Sequence, residues 1–106
     1  MGYLFQPADV AQTKLAIRWL SDATDSRLID GRGFNKVDAA FGRSIAQKSY
    51  SQHGWSFPQT VAAYKLAWRY RVQLAKANIE LPDLPKVREY VAPRSLVNVL
   101  SQLHSK

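Results

Sequence analysis

The sequence predicts an all-α fold, a compact bundle of about four helices around a long third one. Three observations carry this. Apolar residues recur at three- and four-residue spacing in separate stretches, two helix starts carry capping signals, and turn-forming residues divide the stretches. Only Tyr3-Leu4-Phe5 reads as a short extended piece.

The first helix is expected from Pro7 or Ala8 to about Ser21, with Asp9 favourable in its first turn. Val10, Leu15, Ala16, Ile17, Trp19 and Leu20 sweep a broad apolar arc, and Lys14 and Arg18 share the opposite side. Asp22 to Gly33 is a loop rich in turn formers, where Gly31 and Gly33 permit positive φ. It delivers Phe34 to a second helix that Asn35 caps, with Asp38 placed to reach back, as in a capping box. The apolar line of that helix is Val37, Phe41 and Ile45, and its end falls near Ser49. Gly42 inside it costs about 1 kcal/mol relative to Ala, which points to a close helix crossing at that place.

Tyr50 to Trp55 connects to the third helix, which Ser56 and Gln59 open with capping-box spacing, Pro58 lying in the first turn. Nothing in the pattern breaks it before about Asn78, and it is apolar nearly all round, as a central helix should be. Leu81-Pro82-Asp83-Leu84-Pro85 stops the helix, because residues before proline avoid helical geometry. A short turn through Val87 to Tyr90 follows. After Pro93, Leu96, Val99, Leu100 and Leu103 predict a last helix of about three turns.

The chain of 106 residues is read as a single domain, and Met1-Gly2 is also compatible with a module excised from something longer. Hydrophobic residues make up 46% and charged ones 22%, ordinary globular usage that argues against disorder. With zero cysteines, disulfides, thiolate zinc sites and thiol nucleophiles are excluded. No apolar run approaches a membrane span and no signal peptide opens the chain, so a cytoplasmic protein without a membrane partner is expected.

Catalytic chemistry is not legible. His53 and His104 stand apart, so no metal site is expected, and the loose pairs Asp22/Asp25 and Asp30/Asp38 read as turn and cap residues. Gly31-Arg32-Gly33 lacks the spacing of a dinucleotide or P-loop phosphate cradle, and a conformational role suits it better. The expectation is a non-enzyme that uses neither cofactor nor small-molecule substrate.

A formal net charge of +7 points instead to a polyanion. All eight acidic residues lie within Asp9 to Asp38 or Glu80 to Glu89, so residues 39–79 hold only cations: Arg43, Lys48, Lys65, Arg69, Arg71 and Lys76. Lys65, Arg69 and Lys76 project within about 40° of one another on the third helix, beside Gln73. That stripe reads either as a solvated face or as a phosphate-binding surface that Arg43 and Lys48 widen from the second helix. Trp55, with Tyr50 and His53 nearby, reads either as a base-stacking aromatic or as a core plug. Arg71 points into the apolar side, where Asp38 or Asp30 could pair with it. Breaking a truly buried pair of this kind would cost about 3 to 5 kcal/mol.

Asp30-Gly31-Arg32-Gly33-Phe34-Asn35 with Asp38, then Gly42-Arg43-Ser44-Ile45-Ala46, Phe57-Pro58-Gln59 and Arg69-Tyr70-Arg71-Val72-Gln73-Leu74 resemble a small helical accessory module. That module occurs in phage and bacterial proteins that also carry helicase or primase domains, typically DEAD/DEAH-type helicases. The likeness spans about Trp19 to Leu74 and marks Phe34, Asn35, Asp38, Gly42, Gln59, Tyr70, Arg71 and Gln73 as defining positions. It implies DNA-processing surroundings and transfers no catalytic residue, since the chain holds no helicase motor. The sequence thus leads to a non-catalytic module that holds DNA by its phosphates through Lys65, Arg69, Lys76, Arg43, Lys48 and Trp55. The alternative is a docking module for a replication or repair helicase or primase, using the last helix and aromatics such as Tyr3, Phe5 or Trp55.

Overall fold

A computed structural model describes residues 4–25 and 32–90. Among these residues there are five helices and no strand: α1 (Pro7–Asp25), α2 (Ala39–Lys48), α3 (Phe57–Arg69), α4 (Arg71–Lys76) and α5 (Pro85–Arg88). The last helix expected after Pro93, with Tyr3 and Asp30, lies outside the described residues.

The α1 helix begins where Asp9 folds back to accept the backbone N–H of Gln6 at 2.8 Å, meeting one donor that the first turn leaves open. It runs one turn past the expected end because Thr24 has a task there, accepting from the Phe34 N–H at 2.6 Å while donating to the Leu20 carbonyl. Ala16, Ile17 and Leu20 are fully buried, but Leu15, expected on the same arc, is half-exposed. The side assigned to Lys14 and Arg18 is itself packed. Arg18 donates to the Ser49 hydroxyl and carbonyl at the end of α2, lies over the Tyr50 ring, and so caps that helix. Lys14 sits over the Trp55 ring.

The Ser56–Gln59 capping box forms as expected and starts α3, with Pro58 inside the first turn. The helix is central: Ala63, Leu66 and Ala67 face α1 and α2, and Val61 and Tyr64 pack with Phe5 and Val87 in a second apolar cluster. Tyr64, fully buried, donates to the Pro82 carbonyl and accepts from the Leu84 N–H, so its phenol satisfies the proline-broken segment that cannot bond to itself.

The long third helix does not run unbroken. At Tyr70 the backbone turns out of helical geometry (φ −104°, ψ 16°), and α4 restarts at Arg71. Its far end closes near the expected place: Asn78 takes φ 61° and the Ile79 N–H returns to the Leu74 carbonyl, a Schellman ending.

Three packing expectations need correction. Val37 does not extend the apolar line of α2; it precedes that helix and is 82% exposed. The close approach at Gly42 is made by a side chain: a Cβ there would lie 2.3 Å from the Phe34 ring. Arg71 does not enter the core, and of its two expected partners Asp38 is held by Arg69 and Tyr70 while Asp30 lies outside the described residues. Arg71 is exposed, lies over the Trp68 ring and donates to the Trp68 carbonyl.

Gly42→Ala is therefore expected to destabilise the fold by about 1 to 3 kcal/mol through overpacking against Phe34, read by urea denaturation. Arg71→Ala, which removes an exposed cation–π contact and a hydrogen bond to the Trp68 carbonyl, is expected to cost no more than about 1 kcal/mol in the same measurement.

Candidate functional site

Residues 32–38 have few backbone partners of their own, and α3 and α4 supply them from the side. The Gln73 amide brackets Gly33, accepting from its N–H and donating to its carbonyl. Gly33 adopts φ 85°, and a Cβ there would stand 2.4 Å from the Thr24 backbone, so glycine is required on both counts. Its N–H is committed to Gln73, which favours the conformational role over a phosphate cradle.

Phe34 fits edge-on against Tyr70, ring centroids 5.5 Å apart, and fills the notch left by Gly42. Asn35 accepts from the Asp38 N–H at 2.8 Å in the turn ahead of α2, whose N-cap is Asp38 and not the expected Asn35. The return bond is relayed through a third residue: the Tyr70 hydroxyl accepts from the Asn35 N–H at 3.0 Å and donates to the Asp38 carboxylate at 2.7 Å. Asp38, its side chain 12% exposed, also receives Arg69 at 3.1 Å. One phenol oxygen thus ties the turn before α2 to the α3–α4 junction.

This clamp shapes a hollow of about 500 Å³ beside α4. Among the described residues, Arg32, Arg69 and Lys76 are the charged ones in its lining, Trp19, Tyr70 and Val72 help form its walls, and no carboxylate lines it. Arg69 uses one guanidinium nitrogen on Asp38, yet its side chain remains 68% exposed. The ion pair fixes where that cation stands and leaves it open to solvent.

The expected stripe divides here. Arg69 and Lys76 share the hollow, but Lys65 does not line it. Lys65 borders a smaller recess with Asp38 and Phe41, and its ammonium donates to the Tyr90 carbonyl. Arg43 and Lys48 are exposed on α2 and do not line the hollow. Trp55 is 7% exposed and donates to the Ile45 carbonyl at 2.8 Å, so it is the core plug and no stacking surface. Tyr50 and His53 are exposed. Arg32, which the stripe omitted, completes the cationic ring; its isolated position between two glycines offered no helical spacing to follow.

Of the eight motif positions, Phe34, Asn35, Asp38, Gly42, Tyr70 and Gln73 converge on the clamp. Gln59 serves the α3 cap and Arg71 lies on Trp68. Among the described residues no three His, Cys, Asp or Glu side chains gather as a metal cluster, and no helix is long and apolar enough to cross a membrane. Compared with family models, curated proteins and solved structures, the chain matches none.

Burial holds the Tyr70 phenol above its ordinary pKa of 10.0, reinforced by the Asp38 carboxylate it donates to and opposed by the Asn35 N–H and the Arg69 charge. A pKa raised on folding means the neutral phenol is the stabilised form. Its contribution is complete below pH about 10 and is lost as pH rises through the folded value. Tyr70→Phe is expected to cost about 0.5 to 1.5 kcal/mol near neutral pH, by removing the hydroxyl's bonds to the Asn35 N–H and to Asp38, which keeps Arg69. The variant should also lose less stability than the parent between neutral pH and pH about 11, read by denaturation across that range.

Proposed function

We propose that this chain is a non-catalytic nucleic-acid-binding module that grips the phosphate backbone at the Arg32, Arg69 and Lys76 hollow. The observation that carries this reading is the cationic ring itself: Arg32, Arg69 and Lys76 converge on one concavity whose lining, among the described residues, holds no carboxylate. Such a site favours a ligand with closely spaced negative charges, and the net charge of +7 adds long-range attraction for a polyanion. Phosphate contacts carry no base information, so little sequence preference is expected.

The likeness of the clamp residues to a helicase- and primase-associated module suggests DNA as the polymer and a DNA-processing setting. Those residues are committed to the fold, so the likeness bears on the setting and not on the ligand contacts.

A second reading, docking onto a partner protein, draws on a different observation. A neighbouring hollow of about 560 Å³, which shares Val72 and Lys76 with the first, is walled by apolar groups of Trp68, Val72, Ala75, Ile79 and Leu81 with Arg71, Lys76 and Glu80 at its edge. It predicts binding that added salt leaves unchanged.

Fluorescence anisotropy with a labelled DNA strand separates the two. Three neutralised phosphates give a slope of log affinity against log salt of about −2 for a single strand and about −3 for a duplex. Arg32→Glu/Lys76→Glu should abolish binding with helical content unchanged, whereas Lys48→Glu/Lys86→Glu, an equal change of charge elsewhere, should weaken it only modestly. Equal losses in the two double variants would reject the hollow as the site.

A further inference from the structure

The lining of the Arg32–Arg69–Lys76 hollow contains more than a phosphate needs. Beside the three cations stand Val72, 65% exposed, and the partly buried Trp19, whose indole also packs on the main core. A backbone phosphate gains nothing from a valine and an indole, and exposing them to water without an apolar partner is unfavourable. The volume of about 500 Å³ lies in the usual range for sites that enclose one small organic group.

We propose that the hollow receives a single unpaired nucleotide, with a phosphate against Arg32, Arg69 and Lys76 and the face of its base against Trp19 and Val72. This rests on the phosphate reading above and adds the strand preference that reading leaves open. In a duplex the bases are stacked inward and only phosphate and sugar reach a concave site, so the apolar wall would stay unused. In a single strand a base can leave the stack and lie against an aromatic or aliphatic surface while its phosphate meets the cations. The protein side is preformed: Gln73 holds Gly33 next to Arg32, Asp38 holds Arg69, and Tyr70 joins the two through Asn35.

The test uses three labelled probes at low salt with the full chain: a short oligothymidylate strand, the same strand with abasic sites in place of its thymines, and its duplex with oligodeoxyadenylate. The intact strand is expected to bind about tenfold more tightly than either of the others, the effect of stacking one base. Val72→Ser, at an exposed position that folding does not require, should weaken the intact strand severalfold and leave the abasic strand unchanged. Equal affinity for intact and abasic strands would overturn the base contact while leaving the phosphate site standing. So would a duplex that binds as well as the single strand, or a Val72→Ser variant that weakens both single strands alike. Failure of all three probes to bind would overturn the phosphate reading as well.

Discussion

The hydroxyl of Tyr70 stands between two parts of the chain that lie some thirty residues apart in sequence. On one side is the turn from Gly33 to Asp38, which forms few backbone hydrogen bonds of its own; on the other is the junction where α3 gives way to α4. The phenol accepts from the Asn35 N–H and donates to Asp38, and its ring supports Phe34. A helix residue whose side chain is fixed at both ends constrains its own backbone, and Tyr70 is the residue at which the helix departs from regular geometry. Gln73, one turn further along, then reaches Gly33 from α4. The break and the clamp belong to one arrangement.

Its electrostatic consequence is selective. Asp38 borders the cation-only stretch at one end, as Glu80 does at the other, and left alone it would weaken the field there. Bound by Tyr70 and Arg69, it becomes a fixed strut for one cation, well shielded from solvent, while the rest of the guanidinium faces outward. Lys65 is drawn off toward the Tyr90 carbonyl, and Arg32 takes its place in the ring. Local charge in the hollow is therefore set by hydrogen bonding across the fold, and only loosely by the helical spacing of the lysines and arginines.

Much of the architecture could be read from residue patterns because local chemistry determines it. Ser56 and Gln59 announced a capping box, the prolines from Pro82 to Pro85 ended the helical run, and Asn78 marked the place where α4 closes. Gly33 was legible as a turn residue, whereas Asn35 holds the turn ahead of α2 and Asp38 takes the N-cap place. What escaped depends on distant partners. The Tyr70 break looks like unbroken helix, since nothing in Arg69-Tyr70-Arg71 disfavours helical geometry and the cause lies some thirty residues away in Asn35 and Asp38. Arg71 resembled a core residue on a wheel drawn for a straight helix, and that wheel loses its phase at Tyr70. Trp55 could be placed as plug or platform only once the Ile45 carbonyl was seen to accept its indole N–H. Arg32 had no periodic neighbours at all.

The assignment of the hollow as the binding surface can be tested most directly by two-dimensional amide NMR of the full chain titrated with a short DNA strand. Shift changes are expected to cluster at Arg32, Gly33, Asn35, Arg69, Tyr70, Val72 and Lys76, with Gly54, Trp55 and the residues of α5 left in place. Changes confined to α2 or to the Tyr50–Trp55 connection, or absent throughout at saturating strand, would contradict it.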